Sequence, residues 1–201
     1  QFPDEVKSLA AVILRRNVST SAVDTSDVKD AANNANLWNR LSNEARTFFK
    51  TQVLESLQAA SPVGKNLTHK ICSLAVEMRG AMFEHENDTI WQDLLNLLFQ
   101  FISQEHEDKV DAALQIFNGL FSYIMDHLVQ YKDDLKGILE KTLQHPKLDI
   151  KLAALQATVN LLSIAERKDT KAFLPLLPLM VQVISAALTA DDETVLEDAL
   201  V

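Results

Sequence analysis

Apolar residues spaced as on an α-helix return along this chain at steps of about forty residues, and this double periodicity restricts the fold more than any other feature. The pattern opens in Asp4–Arg16 (DEVKSLAAVILRR), where Val6, Leu9, Ala10 and Ile13 share one helical face and Lys7, Arg15 and Arg16 lie on others. Aligned on the small or aliphatic residue after the first turn, the recurring helices put Ala10, Ile71, Ala113, Ala154 and Ala199 in register, at steps of 61, 42, 41 and 45 residues. Three of these steps lie in the range of roughly 40–47 residues that HEAT and armadillo repeats occupy. The long step holds the polar stretch 18–36; without its 19 residues the step becomes 42.

The starts of these helices repeat as well. Pro3, Pro62 and Pro146 precede three aligned positions, and Asp108 and Asp191 stand in comparable places before the other two. Proline suits a first turn because its missing N–H would have no partner there, and an acid caps the free N–H groups. The run AAL occurs at Ala112–Leu114 and again at Ala153–Leu155, where small side chains let helix axes approach to roughly 8–10 Å. Only four glycines are present in 201 residues, too few for the positive-φ turns of an all-β fold. The expected fold class is all-α: a HEAT-repeat α-solenoid (α-α superhelix) of stacked antiparallel helix pairs.

One continuous array is expected over 1–201. It divides into the inner helix of a truncated repeat at 1–17, a polar insertion at 18–36, repeats at 37–83, 89–125 and 128–166, and a truncated repeat at 170–201. The first residue is Gln1 and Val201 falls within a helical pattern, so the chain is expected to be a fragment whose first helix has lost its outer partner. A solenoid repeat buries its apolar surface only against neighbours. Exposed apolar surface is therefore expected at both ends, with Val6, Leu9, Ala10 and Ile13 packing on the following repeat. Within the repeats, Phe48, Val53, Leu54 and Leu57 form one predicted stripe and Leu67, Ile71, Leu74, Ala75 and Met78 another. Asp149 is the expected cap of its helix, and a single helix is expected over Thr170–Leu188.

A net charge of −9 disfavours direct binding to nucleic acid or an anionic membrane, and the apolar stretch Ala172–Leu188 is short and interrupted for a membrane span. Cys72, the only cysteine, lies on an apolar stripe and reads as a core thiol. The glycines, at 64, 80, 119 and 137, build no phosphate-cradling motif. Glu84–His85–Glu86 and Glu105–His106–Glu107 read as solvated turns, and no histidine or cysteine spacing suits zinc. No cofactor and no catalytic or metal site is expected. Gly119 and Gly137 interrupt helices at a cost of about 1 kcal/mol each, for which close helix contact is the simplest account.

Several stretches resemble one family. Leu9–Arg16 (LAAVILRR) resembles the second-repeat inner helix of importin-β-type karyopherins, above all the karyopherin beta-3 (importin beta-3) subgroup. Leu37–Trp38 with Leu41–Ser42, Lys70–Ile71–Cys72 and Trp91–Leu95 are similar to later segments of that subgroup, and Ile150–Leu155 and Phe173–Leu179 to its fifth and sixth repeats. The insertion 18–36 looks longer than that subgroup's. The resemblance implies a nuclear transport receptor shuttling between cytoplasm and nucleus, and no enzyme. Its implied partners are the GTP form of the Ran GTPase on the inner helices, nucleoporin Phe-Gly repeats between outer helices, and protein cargo. Polar inner-helix residues turned from the apolar stripe are the candidate contacts: Lys7, Arg15, Lys70, Glu77, Asp111, Gln115, Asn118 and Lys151. Phe99, Tyr131, Leu135 and Leu139 are candidates for a Phe-Gly groove. The alternative is a HEAT-repeat scaffold or regulatory subunit of another complex.

Overall fold

The computed structural model describes residues 3–18, 37–59, 65–85, 91–104, 106–124 and 128–189. Among these, the secondary structure is helical, and the helices pair as HEAT repeats require. They form two compact units, Gln1–Phe99 and Gln100–Val201, with the boundary inside one helix.

The first unit contains α1 (Asp4–Val18), α2 (Leu37–Arg40), α3 (Asn43–Gln58) and α4 (Lys65–His85), and takes in the start of α5 (Gln92–Ser103). Helix α1 begins where the Pro3 carbonyl accepts from the N–H groups of Val6 and Lys7, each at 3.1 Å. Helix α3 is capped by Ser42, whose hydroxyl accepts from the Ala45 N–H at 3.3 Å. Both α1 and α3 pack on α4, and short α2 touches α1 and α4. The predicted stripe of α4 is buried throughout: Leu67, Ile71, Leu74, Ala75 and Met78, with Cys72 beside them. Trp38 of α2 is fully buried; Arg46 Nε donates to its carbonyl at 3.0 Å, and the Arg46 and Lys50 cations stand 5.7 and 5.6 Å from its ring centroid.

The second unit takes in the end of α5 and contains α6 (Glu107–Ile124), α7 (Leu128–Leu143), α8 (Leu148–Ile164), α9 (Arg167–Thr170), a 3₁₀ turn (Leu174–Leu176) and α10 (Leu177–Thr189). Helices α6 and α8 pack together, as do α7 and α8, and α10 lies against both α7 and α8. The small residues Ala112, Ala113, Ala154 and Ala157 are all buried, and this lets the helices approach closely. Buried Thr142 and Thr158 satisfy their hydroxyls on carbonyls one turn back, Ile138 at 2.8 Å and Ala154 at 2.7 Å. Asn160 of α8 donates its side-chain N–H to the Asn118 carbonyl of α6 at 2.8 Å and to its Oδ1 at 2.9 Å. Lys132 of α7 pairs with Asp169 of α9 at 3.1 Å.

Four local expectations are corrected. Helix α1 buries Ala11 and Val18, while Val6, Leu9, Ala10 and Ile13 stay exposed. Two apolar stripes lie side by side on this helix, and α4 takes the one through Ala11, Leu14 and Val18. On α3, Val53 and Leu57 are buried but Phe48 is 64% exposed. Asp149 sits inside the first turn of α8, and Lys147 occupies the cap position without a side-chain bond to the backbone. The single helix expected at 170–188 is broken into α9, the 3₁₀ turn and α10. Pro175 and Pro178 explain the break: neither offers an N–H, so each settles in a first turn. Among the described residues, large apolar side chains stay exposed at Val6, Leu9, Ile13 and Phe48 in the first unit and at Leu174, Leu177, Val181 and Leu188 in the second. Val18, expected to open the insertion 18–36, instead closes α1 and is buried; the rest of that insertion (19–36), the turn at Ser61–Gly64, Thr89 and the last helix expected from Asp191 lie outside the described residues.

Candidate functional site

The eight candidate contacts fall on four helices, with none of the eight side chains buried. In the first unit, Lys7 and Arg15 lie on α1 and are exposed, and Lys70 and Glu77 lie on α4, half-buried and two turns apart on one face. In the second unit, Asp111, Gln115 and Asn118 follow one another along α6 at helical spacing, and Lys151 lies near the start of α8; all four are half-buried. Packing of α1 on α4 and of α6 on α8 brings each set onto adjacent helices. Lys7 pairs with Asp4 at 2.9 Å, one turn back on its own helix. Asn118 is committed to Asn160, an inter-helix pair that the sequence reading missed. The two asparagines lie one repeat step of 42 residues apart, and that spacing was the available signal.

Two other surfaces carry chemistry. An apolar groove of about 500 Å³ runs between α1, α3 and α4, with Ala10, Leu14, Phe48, Phe49, Val53 and Ile71 among its walls and Lys7 and Glu55 at its polar margin. A second, more polar cavity of about 650 Å³ lies where α6 meets the end of α7, lined by Glu107, Gly137, Glu140 and His145 among others. At its edge Lys147 donates to the Glu107 carboxylate. That bond holds the Glu107 carboxyl below its ordinary range and raises the Lys147 ammonium above its own. The candidates for a Phe-Gly groove divide: Phe99 and Tyr131 are half-buried, whereas Leu135 and Leu139 are fully committed to the core and offer no groove surface. Arg79 of α4, given no role from sequence, is buried at 1% exposure.

Among the described residues, no group of three or more His, Cys, Asp or Glu side chains could hold a metal ion, and no helix is long and apolar enough to cross a membrane. A family model described as "IPO5-like, TPR repeats" matches residues 64–201, more than half of the chain. The chain belongs to this IPO5-like repeat family. It is thus an importin-like helical-repeat protein of the importin-β-type karyopherin class. TPR and HEAT units are both helix pairs, of about 34 and about 40–47 residues, and the steps of 42, 41 and 45 in this chain have the HEAT length.

Proposed function

We propose that this chain is part of a nuclear transport receptor of the karyopherin beta-3 subgroup, a binding protein without catalytic activity of its own. The observation that carries the reading is the family match over 64–201, together with polar side chains left accessible on α1, α4, α6 and α8. Within their units, α1 and α4, and α6 and α8, are read as the inner helices of their repeats. Lys7, Arg15, Lys70, Glu77, Asp111, Gln115 and Lys151 contribute contacts to the GTP form of the Ran GTPase, and Asn118 acts through its pairing with Asn160. A mixed set of basic, acidic and amide groups suits a folded protein partner better than a polyanion, in keeping with a net charge of −9. Phe-Gly repeats of nucleoporins are a second partner, for which Phe99 of the first unit and, separately, Tyr131 of the second remain half-exposed. Protein cargo is a third partner, and the protein shuttles between cytoplasm and nucleus.

The deciding experiment measures binding of the chain, in its full-length context, to Ran loaded with a non-hydrolysable GTP analogue and to the GDP form. Preference for the GTP form is expected, with Lys70→Glu and Lys151→Glu each weakening it several-fold. Equal binding to both forms, or to neither, overturns the transport reading and leaves a scaffold.

A further inference from the structure

Where α6 meets α8, the surface carries an amide pair whose orientation is fixed. The Asn118 backbone carbonyl can only accept, so the group facing it at 2.8 Å is the NH2 of Asn160. The Asn118 side-chain atom that accepts from the same NH2 at 2.9 Å is therefore its oxygen. Flipping Asn160 would set oxygen against oxygen, and flipping Asn118 would set donor against donor. Two groups remain unused: the Nδ2 protons of Asn118, which donate, and Oδ1 of Asn160, which accepts. Neither side chain has a further partner among the described residues, and both side chains are half-buried. The unused atoms of both keep access to solvent.

Uncharged polar side chains extend from this pair. On α6, Gln115, Asn118 and Ser122 recur at helical spacing, and Gly119 among them adds no side chain. On α8, Gln156, Asn160 and Ser163 recur in the same way. No residue from Ala112 to Ile124 or from Leu152 to Ile164 is charged, in a chain where 23% of residues are. An ionic partner thus finds no counter-charge along the strip. None of these side chains is an aromatic ring on which a nucleobase could stack.

A donor and an acceptor held side by side match the C=O and N–H that one residue of an extended chain presents on a single edge, the pairing by which β-strands exchange two bonds. The pair is locked before any partner arrives, so little rotamer freedom is lost on binding. We infer that the strip between α6 and α8 holds an extended segment of a protein partner by its main chain. Asn118 Nδ2 donates to a carbonyl of the segment, and Asn160 Oδ1 accepts from an N–H of the same residue. Recognition of this kind is indifferent to the segment's charge. It goes beyond the transport reading and does not depend on it, and because its test contains no GTPase the two fail separately.

Titration of the isotope-labelled chain with an end-blocked, uncharged octapeptide of alternating valine and serine tests the proposal, read by proton–nitrogen NMR. Weak, saturable binding is expected. The side-chain NH2 signals of Asn118 should move downfield with it, while those of exposed Gln52 and Gln144 stay in place. Methylating every backbone nitrogen of the peptide removes its donors and is expected to weaken binding about ten-fold. Asn160→Ala removes the acceptor and unlocks Asn118, with a loss of the same order. Should that variant disturb the packing of α6 on α8, the Asn118 signals of the unaltered chain carry the test alone. Lysine in place of the peptide's serines should not tighten binding at Asn118, and added salt should leave it unchanged. A peptide that saturates no shift at Asn118 overturns the proposal and leaves the strip to water. Binding that needs lysine, that falls with salt, or that survives both methylation and Asn160→Ala overturns it equally and assigns the peptide to another surface.

Discussion

Gly137 shows how a residue can mislead in sequence and inform in structure. A glycine inside a helix suggests a close neighbour, but a Cβ added here meets nothing within 4 Å. Its position in α7 is exposed and keeps ordinary helical geometry. The backbone freedom it loses on folding is thus uncompensated, and Gly137→Ala is expected to stabilise the protein by about 0.5–1 kcal/mol, read from chemical denaturation. The Glu107–Lys147 pair makes a second prediction at this scale. Glu107 is held below its ordinary value of 4.5, so the pair's contribution is complete above that pH and is lost as pH falls through the lowered folded value. Lys147 is raised above 10.5, so on the basic side the contribution persists below that pH and is lost as pH rises through the raised value. In Lys147→Met, the carboxyl of Glu107 is expected to titrate at higher pH than in the parent chain, as followed by carbon-detected NMR.

At the scale of elements, the central helices were the most legible. The stripe of α4 is predicted residue by residue and is buried as predicted, because this helix has one apolar face and one polar one. Helix α1 was harder to read: Val6, Leu9 and Ile13 compete with Ala11, Leu14 and Val18, and only the position of α4 decides which stripe is covered. Pro175 and Pro178 stand within a continuous apolar run, which by itself has the length of a single helix. Pro175 and Pro178 in fact start two separate elements. Caps depend on backbone angles that sequence does not display, so an acid near a helix start, such as Asp149, is not told apart from a cap by sequence alone. Ser42 is the better-defined case: its φ of −66° and ψ of 162° turn the hydroxyl towards the Ala45 N–H. The same hydroxyl, after the Glu44 backbone N–H, helps to keep the Glu44 carboxyl below its ordinary range. Ser42→Ala is therefore expected to cost about 1 kcal/mol in thermal or chemical unfolding, whereas Ser42→Asp should retain most of the stability.

For the molecule as a whole, the repeat step carried the fold class, because a helix pair that buries its surface on the next pair must recur at a fixed length. The candidate contacts were less legible. Sequence marks a residue as polar and off the stripe, as it does Lys70 and Asp111, but partnership between elements, such as Asn118 with Asn160, depends on which helices meet. The two tryptophans illustrate a further property of the chain. Trp38 and Trp91 are the only ones it has, both are buried, and both belong to the unit Gln1–Phe99. Intrinsic fluorescence excited at the indole band is consequently an optical label for that unit alone. Melting of Gln100–Val201 is silent in emission and visible in the far-ultraviolet helix signal, so the interval between the two curves measures whether both units lose structure in one step.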